Sequence, residues 1–338
     1  MTNLATRYLG LELKNPIIAG ASGLTSDLKT IVKLQEAGAG AIVCKSLFEE
    51  EIQLESLKFQ KDIHQYDDIH PEMLTVFPDL EHGGPKEHLF WLKKTKDETT
   101  IPVIASLNAV DNDVWLDYSK RIEDTGVDAI ELNLYRTPDH ETYDSAEIED
   151  NQLETIGKIK KNLSIPVSIK LSPYYTNLLG FVKNAAKSGA DGVVLFNRLF
   201  APGIDIAKEE HTFSFNLSRK EDNLFTQKYT GLLYGKISAD ICASRGIMDG
   251  DDVIRMLLTG AKAVQVVSAL YKHAPSHISD MIAALTAWME EKGYSSIEDF
   301  RGKLSENTLG EKKHWLYKRT QYIKMLMQKS ESVANQIF

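Results

Sequence analysis

Four junctions along the chain share one design: a helical stretch closes on a glycine, and a short apolar run begins three residues later. They read Glu36-Ala37-Gly38-Ala39-Gly40, Asp124-Thr125-Gly126-Val127-Asp128, Lys187-Ser188-Gly189-Ala190-Asp191 and Leu258-Thr259-Gly260-Ala261-Lys262. A glycine at this place ends a helix in the left-handed conformation, from which the chain turns into a strand. Four repeats of that turn restrict the chain to alternating helices and parallel strands.

The intervening runs supply eight strands: Pro16–Ala19, Ala41–Lys45, Pro102–Leu107, Ala129–Leu134, Pro166–Leu171, Gly192–Phe196, Ala239–Ala243 and Ala263–Val267. Helices are expected between them, among them Asp27–Ala37, Val114–Thr125, Leu178–Ser188 and Asp249–Leu258. Ile101-Pro102 and Ile165-Pro166 sit at strand starts, where proline is tolerated. Eight βα units in 338 residues fit one (β/α)₈ TIM barrel of α/β class, a fold that exceeds the usual domain size. The expected organisation is a barrel over 1–304 and a helical extension over 305–338 packed on it. Two connections are long, Ser46–Gly84 after strand two and Asn197 to about Tyr229 after strand six. Both leave the C-terminal ends of strands, where barrels build lids and substrate contacts.

A net charge of −9 argues against a nucleic-acid binder, which needs a basic face. Two cysteines, Cys44 and Cys242, cannot furnish four thiolates for an iron–sulfur cluster. They are expected as small apolar fillers on the outer strand face. Met1 to Lys14 has no apolar core or cleavage pattern of a signal peptide, and no apolar run approaches the ~20 residues of a membrane span. The expectation is a soluble cytoplasmic protein without a membrane partner or metal.

A polar or small residue stands at every strand's C-terminal end: Ala21-Ser22-Gly23, Lys45-Ser46, Asn108, Asn133, Lys170, Asn197, Ser244-Arg245-Gly246 and Ser268-Ala269. Together they line a barrel mouth, the place where this fold puts its sites. Period-two alternation turns Lys45 and Lys170 inward, so an anionic ligand or a carboxylate is expected beside them. Strands seven and eight end at the usual phosphate site of the fold. No Gly-x-Gly-x-x-Gly follows a strand, which disfavours a dinucleotide-binding fold.

These residues fall into runs that resemble the dihydroorotate dehydrogenase family. They are Asn15-Pro16-Ile17-Ile18-Ala19-Gly20-Ala21-Ser22-Gly23, Cys44-Lys45-Ser46, Glu131-Leu132-Asn133-Leu134 and Ile169-Lys170-Leu171-Ser172-Pro173. Further on come Gly260 through Leu270 and Lys292 through Gly302, so the likeness spans about residues 4–304 in the family order. The resemblance implies FMN in the mouth and hydride transfer from a dihydropyrimidine-like carboxylate, in pyrimidine biosynthesis. Ala21, Ser22 and Gly23 would lie along the flavin, and Lys45 and Ser46 would touch flavin and substrate. Asn108 and Asn133 would hydrogen-bond flavin or substrate, and Asn197 would hold the substrate ring. Lys170 would stabilise negative charge on the reduced flavin, and Gly246, Ser268 and Ala269 would meet the phosphate, with Ser244 and Arg245 beside them as further cofactor contacts. It also implies a soluble electron acceptor, a homodimer, and the class that lacks an N-terminal membrane segment.

Three positions depart from the family pattern. The family's proton-removing cysteine or serine is replaced by Arg136, within Asn133-Leu134-Tyr135-Arg136-Thr137-Pro138. Arginine is not deprotonated in proteins and cannot be the base. It can clamp a substrate carboxylate bidentately. Tyr135, Thr137, His64, His70 and His82 are the candidate replacements. The family's substrate-loop motif is missing from Ser46–Gly84, and Arg245 stands where a phosphate-loop glycine is usual. The readings that remain are a dihydroorotate dehydrogenase-like enzyme, an FMN enzyme acting on another cyclic acid, and a flavin-binding relic. A Schiff-base aldolase using Lys170 or Lys45 is a fourth, although the asparagines beside both lysines favour flavin.

Overall fold

The structure, a computed structural model, describes residues 2–52, 85–108, 112–134, 144–198, 202–212, 217–310, 315–319 and 321–323. Eight parallel strands carry the fold: β1 (Ile17–Ala19), β2 (Ala41–Val43), β3 (Val103–Asn108), β4 (Ala129–Leu134), β5 (Val167–Leu171), β6 (Gly192–Leu195), β7 (Asp240–Ser244) and β8 (Ala263–Val266). Each pairs with the next, and β8 returns to β1 with Val264 opposite Ile17, which closes the barrel. Around it run α1 (Leu28–Glu36), α2 (Pro85–Glu98), α3 (Asn112–Glu123), α4 (Ser145–Asn162), α5 (Leu178–Ser188), α6 (Asn223–Leu233), α7 (Gly250–Thr259), α8 (Ser268–His273) and α9 (His277–Lys292). This is the (β/α)₈ barrel expected from the junctions.

The junction glycines behave as the turn requires. Gly38, Gly126, Gly189 and Gly260 have φ of +102°, +86°, +111° and +119°. Two of the turns also carry an aspartate with a repeated task. Asp128 accepts from the Val103 backbone N–H and from Lys96, and Asp191 accepts from the Val167 N–H and from Lys160. Val103 and Val167 each follow a strand-opening proline, which offers no N–H of its own. The carboxylate therefore anchors the start of the neighbouring strand and ties it to the preceding helix.

The core has two compartments. The larger lies between strands and helices and includes Ile17, Ile42, Cys44, Leu107, Leu132 and Ile169. The smaller fills the barrel's N-terminal end. There a hairpin, Thr6–Tyr8 with Leu11–Leu13, presses Tyr8, Leu9 and Leu13 against Ile18, Val43, Ile104, Ala129, Val194, Cys242 and Ala263. Cys44 lies on the outer face as expected, but Cys242 does not. It points into the barrel, on the same face as Ser244, and burial beneath the hairpin raises its thiol pKa well above the usual value. Alternation from the mouth residue Ser244, two positions on, already implied this inward phase, which the outer-face expectation for Cys242 overlooked.

Above the apolar floor the interior turns polar, with Ser106, Glu131, Ser168 and Gln265 all buried. After β6 the chain forms a hairpin, Gly203–Asp205 with Glu210–Thr212, and α6 begins at Asn223, earlier than the expected loop end near Tyr229. Beyond residue 304, Ser305 caps a short helix, Glu306–Leu309. Tyr317 donates to the Leu304 carbonyl at 2.6 Å and lies against Gly231 of α6. No helix among the described residues is long and apolar enough to cross a membrane.

Candidate active site

The inward-facing polar residues above Glu131 open into a cavity of about 450 Å³ at the C-terminal ends of the strands. All eight strand ends contribute: Ala21, Ser22 and Gly23; Lys45 and Ser46; Asn108; Asn133; Lys170; Asn197; Ser244, Arg245 and Gly246; and Ser268. Of the strand-end residues read from sequence only Ala269, fully buried, does not line it. Tyr135, Arg136, Thr137 and the histidines His64, His70 and His82 lie outside the described residues.

At the base of the cavity Lys170 is held from two directions. Its Nζ donates to Gln265 Oε1 at 2.8 Å and stands 3.4 Å from Glu131 Oε1. Gln265 Nε2 in turn donates to Glu131 Oε2. The carboxylate expected for a buried lysine is thus Glu131, 1% exposed. Lys45 also has one: Glu51 lies 3.5 Å from its Nζ, at the more open rim. Asn197 Nδ2 donates to Asn133 Oδ1 at 3.0 Å, and the hydroxyls of Ser46 and Ser106 are 2.7 Å apart. Amide and hydroxyl edges are therefore fixed around the lysine before any ligand arrives.

The opposite wall comes from the turn after β7 and the start of α8. Arg245 and Gly246 have φ of +78° and +73°, and Arg245 Nε is buried with no hydrogen-bond partner among the described residues. A Cβ at Gly246 would stand 2.5 Å from the Asn223 backbone nitrogen and 2.9 Å from the Arg219 carbonyl oxygen. Asn223 Nδ2 clasps the turn from behind, donating to the Gly246 carbonyl and to the buried Asp252. Ser268 Oγ accepts from the Ser218 N–H, whose carbonyl accepts from Lys272. Arg198, ion-paired to Asp222 at 2.6 Å, stands in the same wall.

Several lining residues were not singled out from sequence: Phe48, Phe196, Arg198, Leu217, Ser218, Ile247, Gln265, Val267 and Tyr271. Gln265 and Glu131 carried a usable signal. Each is a polar residue on the inward phase of a strand, two residues before or after a site residue or a small inward one. Ser218 and Leu217 come from the long β6–α6 connection, where no periodicity marks them. His88 Nε2 donates to the Lys45 carbonyl at 3.1 Å without lining the cavity, and burial pushes its pKa down to about 4. Among the described residues no group of three or more His, Cys, Asp or Glu is placed to hold a metal ion.

The arrangement suits a ligand with a hydrogen-bonding ring edge at Lys170 and an anion near Arg245. A volume of this order is ordinary for a small-molecule or cofactor site. The family model for dihydroorotate dehydrogenase matches residues 80–289. The chain is 28% identical over 307 residues to a Thermoplasma volcanium protein named dihydroorotate dehydrogenase B (NAD(+)), catalytic subunit, covering 89% of this chain and 98% of the relative. Relatives of the same name from Methanocaldococcus jannaschii and Anoxybacillus flavithermus are 26% and 25% identical, over 90% and 91% of this chain and 98% and 97% of their own lengths.

Proposed function

This chain belongs to the dihydroorotate dehydrogenase family, and we propose that it is an FMN-dependent oxidoreductase taking hydride from a dihydropyrimidine-like carboxylate. The observation that carries this reading is the convergence of all eight strand ends on one cavity with a lysine fixed at its base. The residues fit FMN: among the described residues Arg245 Nε is buried without a hydrogen-bond partner, at the strand end where a phosphate would sit. The flavin, when bound, supplies the two-electron acceptor chemistry.

The chain's own side chains have separate tasks. Arg245, Gly246, Ser244 and Ser268 would hold the phosphate, and Ala21, Ser22 and Gly23 leave a small, open strand end against the ring. Lys170 presents positive charge at the ring edge where negative charge gathers on reduction. Asn133 and Asn197, locked to one another, offer their remaining amide groups to a ring substrate, and Lys45 meets its anionic side. Asn108 and Ser46 complete the polar rim. Arg136 would clamp the substrate carboxylate, and Tyr135 would stand beside it for proton removal.

The names of the relatives carry NAD(+) and "catalytic subunit", which supports a soluble acceptor for this chain too. A homodimer in the cytoplasm acting in pyrimidine biosynthesis is the setting we propose. Arg136 at the base position favours a second reading, an FMN enzyme acting on another cyclic acid.

The test begins with the purified protein. It should be yellow and release FMN on denaturation, and anaerobic dihydroorotate or dihydrouracil should bleach it. A protein that neither carries nor takes up FMN overturns the flavin assignment. Bound flavin that neither compound reduces overturns the substrate assignment alone.

A further inference from the structure

Lys170 of β5, Gln265 of β8 and Glu131 of β4 close a triangle inside the barrel. The three residues are 7%, 1% and 1% exposed. The sense of the glutamine amide is dictated by its neighbours. Turning it over would set its NH₂ against the ammonium and its carbonyl against the carboxylate, two repulsive contacts in a buried site. Glu131 therefore fixes Gln265, and Gln265 fixes Lys170.

An ammonium has three N–H donors. One goes to Gln265 at 2.8 Å and a second faces Glu131 at 3.4 Å, which leaves one for the cavity that Lys170 lines. Glu131 Oε1 has no hydrogen bond among the described residues, so its negative charge is spent on this ion pair. A carboxylate this close in a low-dielectric interior offsets much of the lysine's field at the cavity.

We propose that Glu131 and Gln265 are positioning residues that aim the last N–H of Lys170 into the cavity and limit how strongly the cavity base stabilises an anion. The aiming stands on the geometry alone. The consequence for charge rests on the flavin reading above.

The aiming is tested on flavin-free full-length protein. Cyanate labelling of each lysine is followed by peptide mass spectrometry in wild type, Glu131→Gln and Gln265→Met. Lys170 should label slowly in wild type and about tenfold faster or more in either variant, while Lys45 labels at an unchanged rate. Unchanged Lys170 labelling in whichever variant folds overturns the aiming, and urea midpoints identify one that does not fold. For the charge offset, FMN-loaded Glu131→Gln should bind sulfite, which reports an electron-poor flavin, about tenfold more tightly. The gain should vanish when Lys170→Met is added. An unchanged sulfite affinity, or a gain that persists without Lys170, overturns the offset. Failure of the wild-type protein to take up FMN overturns the flavin reading and the offset with it, and the labelling result still decides the aiming.

Discussion

Gly246→Ala tests whether the turn after β7 is a fitted cradle or only a flexible loop. Gly246 has φ +73°, a conformation that costs an alanine about 1–2 kcal/mol. The new Cβ would also lie 2.5 Å from the Asn223 nitrogen and 2.9 Å from the Arg219 oxygen, both backbone atoms that no side-chain rotation can move aside. Relief requires the turn and the start of α6 to separate, which strains the hydrogen bond from Asn223 Nδ2 to the Gly246 carbonyl, now 3.1 Å and worth about 1 kcal/mol. The expected loss is about 3 kcal/mol in urea unfolding at neutral pH. Since Arg245 moves with the turn, the dissociation constant for FMN, read by quenching of flavin fluorescence, should rise at least ~10-fold, which corresponds to about 1.4 kcal/mol. Gly126→Ala is the control: φ is +86°, yet nothing lies within 4 Å of the built Cβ. It should lose only about 1 kcal/mol, with FMN affinity unchanged. Equal losses at the two glycines would refute the close-approach argument.

Other outcomes follow from the same geometry. Lys170→Ala should slow flavin reduction by about 100-fold or more while changing FMN affinity less than ~10-fold, since charge at the ring edge acts mainly as reduction proceeds; stopped-flow reduction beside equilibrium titration separates the two. Borohydride added with sugar phosphates should trap no adduct on Lys170 or Lys45, and a mass increase on either would restore the Schiff-base reading. Arg136→Cys should speed reduction by dihydroorotate at least several-fold if the proton acceptor is what this chain has changed, and unaltered kinetics would assign the family's base function elsewhere. Glu123 accepts from Ser164 and Ile165 at the α4–β5 turn. Burial opposes its charge, but those bonds and Lys120 pull its pKa from 4.5 down to about 2. A depressed carboxylate stabilises fully above its ordinary pKa and loses that contribution as pH falls toward 2. Glu123→Gln should therefore cost about 1 kcal/mol near pH 7, with the gap to wild type closing between pH 4.5 and 2.

What the sequence determined is local in origin. Glycine after a helix, proline before a strand and apolar runs of four to six residues are properties of neighbouring residues, so the βα alternation and the eight strands were legible, Ala129–Leu134 to the residue and the others within one or two. Once the strands were placed, their C-terminal ends named most of the cavity's wall, because a closed parallel barrel brings those ends together whatever their sequence separation. Tertiary structure alone decided the rest. The hairpin that fills the barrel's lower end packs against inward-facing Cys242, a contact between segments more than 200 residues apart that no local pattern announces. The lysine's carboxylate is Glu131, on the neighbouring strand, and the amide joining them is Gln265, 134 residues from Glu131 along the chain. Such a pairing depends on which strands face one another across the barrel and at what height, and no short stretch of sequence encodes either.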